Sequence, residues 1–345
     1  MKFEKQKLSD AKQVYFITKL DILGKERVIA APEGPGSTMV FTPPTFEPIT
    51  LATGPGGCMG FAGLPGRDDA LLMITAFYPI FQSEKAGIDL FQAVDGLNQP
   101  WSGRRIIDLP FVHRICMMSC DTRHFLVAAA VCGGKDFQDD WSRPDKVYVA
   151  QVPDQLDGSW ELTPVMEGIH KNHGMKVGTH GGKRCVFIAG TEGVFALFPP
   201  QPDSDEWTNT PLLSHEISEV YPADLDGDGE DELAVIEPFH GNQLSVYKCI
   251  DQTWTKVFSA ELAFGHGLWA GALGGEKVVI TGNRRGTENL VCFRTVGTDP
   301  FDMEEIVIDA RSGTTNMDVL RTEDADILVA ANATHAEYAR YTVVS

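Results

Sequence analysis

The sequence predicts an all-β chain built from one four-stranded unit repeated around a ring, and three observations carry that expectation. Short aliphatic and β-branched runs recur along all 345 residues. Successive runs start 44, 54, 61, 47, 45 and 49 residues apart. Each is followed by a turn containing Gly, Asn, Pro or Tyr, and most then lead into a further strand-like segment. A period of roughly 40 to 50 residues with four strands in each period marks a β-propeller blade. The seven runs therefore predict one domain, a seven-bladed β-propeller.

Taken in order, the runs are RVIAAPEG from Arg27, LLMITAFY from Leu71, FLVAAAVCGG from Phe125, VFIAGTEG from Val186, LAVIEPFHG from Leu233, VVITGNRRG from Val278 and ILVAANA from Ile327. Segments such as TMVFTP, KVYVAQV, VFALFPP, QLSVYKC and NLVCFRTV supply the next strand, and SWELTPVM, TWTKVFSAEL and MEEIVIDA the outer one. Blades are expected at 14–53, 54–110, 111–168, 169–214, 215–262, 263–310, and at 311–345 joined to 1–13. The last unit stops at RYTVVS one strand short, while FEKQKLSD has no blade of its own, so the two ends are expected to complete one blade. That closure would remove an open sheet edge. Two β-sandwiches are the alternative, but sandwiches do not require one unit at seven near-regular intervals.

Composition narrows the function. With 48 acidic and 29 basic residues the net charge is −19, a field that repels phosphate backbones and anionic membranes, so neither is an expected partner. The longest apolar run, Phe125 to Cys132, is far short of the roughly 20 residues of a spanning helix. The start, MKFEKQKLSD, has no secretory apolar stretch, and a monomeric cytoplasmic protein beginning near Met1 is expected. The seven cysteines form no C-x-x-C and mostly sit in apolar runs, which predicts reduced, buried thiols. No G-x-S-x-G, H-E-x-x-H, phosphate-binding loop or dinucleotide fingerprint is present, so hydrolase, kinase and dehydrogenase readings have no support.

The strongest local motif is DLDGDGEDEL, from Asp224. Asp224, Asp226 and Asp228 alternate so that a curled loop turns three carboxylates toward a hard cation, with Gly227 and Gly229 permitting the turns. The twelfth position, where an EF-hand carries Glu, is Val235. The loop resembles the calcium loop of the FG-GAP and VCBS repeat families, propeller repeats also found in integrin α subunits. The resemblance implies one structural Ca2+ held by Asp224, Asp226, Asp228 and Glu232, with the backbone carbonyl of Glu230. The other blades have short turns such as LGKE, DTRH, HGGKR and LGGEK at this place.

A second pattern appears on aligning the innermost strands. His113, His173 and His266 each lie seven residues before the turns that begin at Cys120, His180 and Leu273. Equivalent strand starts converge on a propeller's axis, so these imidazoles are expected at one channel mouth. Loops on that face carry His240, Arg284, Arg285, His335, Glu192 and Tyr78. Neutral imidazoles there could hold Zn2+ or Mn2+, and the arginines a carboxylate or sugar hydroxyls. The segment GHGLWAGALGGEKVVITGNRRG also resembles repeats in the propeller part of aldos-2-ulose dehydratase-type enzymes and, more loosely, propeller polysaccharide lyases. That implies a metal-assisted lyase, dehydratase or isomerase acting on a small carbohydrate-like ligand. His113, His173, His266, His240 and Tyr78 would be bases or ligands, and Arg284 and Arg285 would stabilise the developing anion. A non-catalytic propeller that binds a ligand or protein partner is the alternative.

Overall fold

The computed structural model describes residues 1–158 and 160–344. Among them are 28 strands and no helix. The closing strand β1 (Lys2–Asp10) comes first. The first blade is β2 (Val14–Ile22), β3 (Lys25–Pro32), β4 (Thr38–Phe41) and β5 (Pro48–Ala52). The second is β6 (Phe61–Leu64), β7 (Arg67–Thr75), β8 (Gly87–Gln92) and β9 (Ser102–Asp108). The third is β10 (Val112–Cys120), β11 (Arg123–Ala130), β12 (Asp145–Gln151) and β13 (Thr163–Ile169). The fourth is β14 (Gly174–His180), β15 (Lys183–Gly190), β16 (Gly193–Phe198) and β17 (Thr208–Leu213). The fifth is β18 (Glu219–Ala223), β19 (Glu232–Glu237), β20 (Gln243–Ile250) and β21 (Thr253–Glu261). The sixth is β22 (Gly265–Leu273), β23 (Glu276–Asn283), β24 (Leu290–Thr298) and β25 (Phe301–Asp309). In the seventh, β26 (Thr314–Arg321), β27 (Asp326–Asn332) and β28 (Glu337–Val344) are completed by β1. This is the predicted seven-bladed propeller, its last blade closed by the N-terminal strand.

The repeating apolar runs are the second strands of the blades. Val28 to Ala31, Leu71 to Ile74, Leu126 to Ala130 and Leu233 to Ile236 are almost wholly buried. Such strands pack against a neighbouring blade on each face, which is why they read as continuous apolar runs rather than as alternation. The outermost strands alternate instead: in β21, Thr253, Thr255 and Lys256 face solvent while Trp254 and Val257 are partly covered. No helix is long and apolar enough to cross a membrane.

Closure is pinned by charge as well as by the strand ladder. Antiparallel pairing runs from Lys2 with Val344 to Asp10 with Glu337. Lys5 Nζ lies 2.7 Å from Asp309 and 2.6 Å from Glu337, with His335 Nδ1 at 3.1 Å. His335 therefore belongs to this ring-closing cluster, in which Lys5 supplies the cation.

Candidate functional site

The inner strands start at one end of the channel, and slips in their pairing turn side chains inward there. Register shifts fall between Val14 and Phe16, Val112 and Arg114, Gly265 and Leu268, and Thr314 and Asn316. Each leaves an extra residue unopposed, and a β-bulge of this kind re-aims a side chain. Tyr15, His113, His266 and Thr315 stand at these bulges, and His173 just before β14 lies at the same height.

The structure brings four imidazoles together. Ring centroids are 4.4 Å apart for His113 and His173 and 5.3 Å for His173 and His266. His240 arrives on the β19–β20 loop, 4.8 Å from His173 and 5.1 Å from His266. Its backbone is left-handed at φ +48°, uncommon for a residue with a Cβ, and its N–H donates to Ser218 Oγ.

Hydrogen bonding assigns a tautomer to three of the four rings. His173 Nδ1 donates to Glu219 Oε1 at 2.6 Å, and His266 Nδ1 donates to the Thr315 carbonyl at 2.7 Å. Both rings thus keep an Nε2 lone pair for the centre. His113 Nδ1 instead accepts from Arg114 Nη1 at 2.9 Å, placing its proton on Nε2, toward the Tyr15 hydroxyl 3.5 Å away. It is His240, not His113, that joins His173 and His266 as a possible ligand set, the three offering nitrogens within 4.8 Å of one another. His240 Nε2 is 3.3 Å from His173 Nε2. An ion bound at about 2.0–2.1 Å in tetrahedral geometry spaces its nitrogens by about 3.4 Å, so this pair fits Zn2+ or a similar ion, with Glu219 and the Thr315 carbonyl as orienting groups.

Burial controls the charges. It holds His113, His173 and His266 below the ordinary histidine value and pushes His240 down to about 2, so the rings are neutral at pH 7. Positive charge on Arg114 lowers His113, His173 and His240 further, and that on Arg284 lowers His240 and His266. Burial raises the Tyr15 hydroxyl to about 12. It would raise Glu219 as well, but Arg114 Nη2 at 2.7 Å and His173 outweigh it, and the carboxyl stays ionised.

Three of the four rings are closed to solvent, and His240 is half-buried. His113, His173 and His266 are 1%, 0% and 2% exposed. A continuous aromatic layer covers them: Phe239 and Phe264 stack on His240 at 4.1 and 4.7 Å, and Trp141 joins Phe239 at 5.2 Å and Phe81 at 5.1 Å. Cations lie over this layer, with Lys135 3.2 Å from the Trp141 centroid, Lys171 5.4 Å from Phe239 and Arg285 4.8 Å from Phe264. On the same face Ile80 and Phe137 are exposed, Phe137 at 62%. The loop bearing Phe137 and Trp141 is folded by Asp140, which accepts from the Asp136 and Ser142 amides and the Ser142 hydroxyl. Tyr78 lies on a loop of this face, but no hydrogen bond or ring contact joins it to the imidazoles among the described residues. Sequence reasoning missed Tyr15, which sits seven residues before the turn after Ile22 and so carried the same signal as the histidines. It also missed Arg114 and Glu219, which carried none.

The acidic loop curls on itself: Asp224, Asp226, Asp228 and Glu232 accept from the amides of Gly227, Asp228, Glu230 and Leu225. Gly227 and Gly229 take φ values of +85° and +93°, open to glycine. Asp224, Asp226 and Glu232 offer oxygens close enough for one hard cation, while the Glu230 side chain is exposed. Burial, with repulsion from Asp226 and Asp228, pushes the Glu232 carboxyl up to about 7, a cost that a cation would relieve. The chain supplies cations itself. Lys248 Nζ, from β20, contacts Asp226 and lies 2.7 Å from Asp228 and 3.7 Å from Glu232. Lys277 Nζ contacts the Asp224 carbonyl and carboxylate at 2.8 and 3.0 Å.

No protein-family model matches the chain, and no curated protein matches it. Among solved structures the chain is similar to the β-propeller domain of Cps50 (Swd1) from Myceliophteria thermophila. The TM-score is 0.62 at 11% identity, covering 99% of this chain and 100% of that one. At that identity the likeness concerns the fold alone, a seven-bladed propeller.

Proposed function

We propose that this protein is a non-catalytic binding platform whose imidazole-bearing face docks an acidic segment with an apolar anchor. The observation that carries the reading is the cover itself: three imidazoles exposed by 2% or less, and the half-buried His240 with them, lie beneath Phe81, Trp141, Phe239 and Phe264, so the accessible chemistry is mainly aromatic and cationic. Aromatic side chains and Arg are the residue types that dominate interface hot spots. Lys135, Arg284 and Arg285 have no carboxylate within ion-pair distance among the described residues, on a chain of net charge −19, which selects for negative charge in the partner. Selection of peptides from a displayed library is expected to enrich Asp and Glu flanking an aromatic residue. The Phe137→Asp, Arg285→Glu double variant should weaken the selected peptides by about 30-fold, the loss of one hot spot. A selection no better than background, or peptides indifferent to the double variant, would remove this reading.

The second reading, a metal-assisted carbohydrate lyase or dehydratase, is favoured by one observation, the two Nε2 atoms meeting at 3.3 Å with Glu219 behind His173. A Zn2+ or Mn2+ ion held by His173, His240 and His266 would supply Lewis acidity, and the aromatic cover would have to part to admit a sugar. Elemental analysis of protein purified without chelator decides it. A near-stoichiometric transition metal that disappears in the His173→Ala, His266→Ala variant supports this reading, and its absence from both proteins ends it.

Calcium at Asp224, Asp226, Asp228 and Glu232 is a further proposal for the loop freed of Lys248, whose ammonium otherwise stands where the ion would sit.

A further inference from the structure

Beneath the imidazole layer the channel holds a chamber of about 320 Å3, lined by all seven inner strands. That volume lies at the small end of ligand pockets. The imidazoles close it at one end, so entry is from the end where the blades' first hairpins turn. Four charged side chains line it: Arg114, Glu219, Lys176 and Asp318. Arg114 and Glu219 neutralise each other at 2.7 Å. Lys176 and Asp318 have no such partner.

Lys176 stands three residues after His173, and Asp318 three after Thr315, so both occupy one height of the channel. Their strands, β14 and β26, belong to the fourth and seventh blades, nearly opposite each other around the ring. Lys176 Nζ lies 4.2 Å from the centre of the Tyr221 ring, and among the described residues no carboxylate comes within ion-pair distance of it. Asp318 accepts from the Thr18 hydroxyl at 2.7 Å, the Lys19 amide at 3.1 Å and the Val319 amide at 2.8 Å, all neutral donors. Burial works against the charged form of Lys176, while Tyr221 and then Asp318 favour it, without an ion-pair contact between Lys176 and Asp318 among the described residues. The rest of the lining includes Phe16, Leu20, Met117 and Met175. A fixed ammonium and a fixed carboxylate held apart across an apolar chamber are complementary to a molecule carrying the opposite pair of charges and an apolar body.

We propose that the channel chamber binds a small zwitterion, an α-amino acid with an apolar side chain, its carboxylate on Lys176 and its ammonium on Asp318. The side chain then lies against Phe16, Met117 and Met175. The Tyr221 ring holds the Lys176 ammonium in place before the ligand arrives, which lowers the ordering cost of binding.

Calorimetric titration of the full chain with leucine, methionine and phenylalanine tests this, beside 4-methylpentanoate and 3-methylbutan-1-amine, which each lack one of leucine's charges. At least one amino acid is expected to bind. If it is leucine, both analogues should be weaker by about tenfold or more, the loss of one charge-assisted contact. Lys176→Met and Asp318→Asn should each lower the affinity of the bound amino acid similarly, with circular dichroism melts verifying that both variants fold. No heat from any of the three amino acids at about 10 mM overturns the proposal. So does 4-methylpentanoate binding as tightly as leucine, or affinity unchanged in both variants.

Discussion

Arg114→Met is expected to cost about 3–5 kcal/mol of folding stability, the range for removing one partner of a buried ion pair. Arg114 and Glu219 are 10% and 13% exposed at the side chain, so little solvent screens the carboxylate that the substitution strands. The guanidinium also donates to the His113 carbonyl at 3.1 Å and to His113 Nδ1 at 2.9 Å, so three acceptors lose a donor together. Methionine keeps much of the volume, which isolates the electrostatic loss from a cavity. Adding Glu219→Gln should recover more than half of the damage, because the second change removes the uncompensated charge. Guanidinium unfolding of the two single variants and the double one gives the coupling directly. A single-variant cost under about 1 kcal/mol would mean that water reaches Glu219 and that the pair does not organise the channel.

Lys248→Met is expected to convert the acidic loop from one indifferent to calcium into one that depends on it. In the wild-type protein the ammonium already stands among Asp226, Asp228 and Glu232, so added calcium or chelator should leave the melting temperature unchanged. Without that ammonium the carboxylates repel one another around the buried Glu232, at a cost of about 2 kcal/mol in chelator, less than for a fully buried pair because Lys248 is 25% exposed. Millimolar calcium should restore the loss, since Asp226, Asp228 and Glu232 are then free to take a hard cation beside Asp224, which Lys277 still contacts. Thermal melts in calcium and in chelator check both proteins. Wild-type protein that melts earlier in chelator would show that calcium, rather than Lys248, holds the loop.

The ring of blades was legible because the second strands are buried on both faces, so runs such as FLVAAA and VFIAG stand out at a near-constant interval. The common height of His113, His173 and His266 was legible for a related reason, since equal distances to a turn place residues at one level of a channel. Tyr15 obeys the same spacing, but a tyrosine does not share the residue type that marks the three histidines as a set. What the sequence did not carry is contact between distant segments. Glu219 lies 105 residues from Arg114, and only the closed ring brings them together. The aromatic cover is assembled from four separate loops, and nothing near Phe239 in sequence announces Trp141. Lys248 follows Asp228 by 20 residues, one strand away, so the loop motif alone reads as an empty cup. The tautomer that turns His113 away from the ligand set depends on the guanidinium beside it, which no spacing rule reports.

Joining the strand Lys2–Asp10 to the strand Glu337–Val344 also imposes an order in time. During synthesis the first strand emerges hundreds of residues before its partner exists, and it must wait without its ladder while six blades form. Its composition suits the wait: Lys2, Lys5 and Lys7 make it a poor template for adventitious strand addition. Lys5 then finds Asp309 and Glu337 together only when the final blade is made, so the ring locks last.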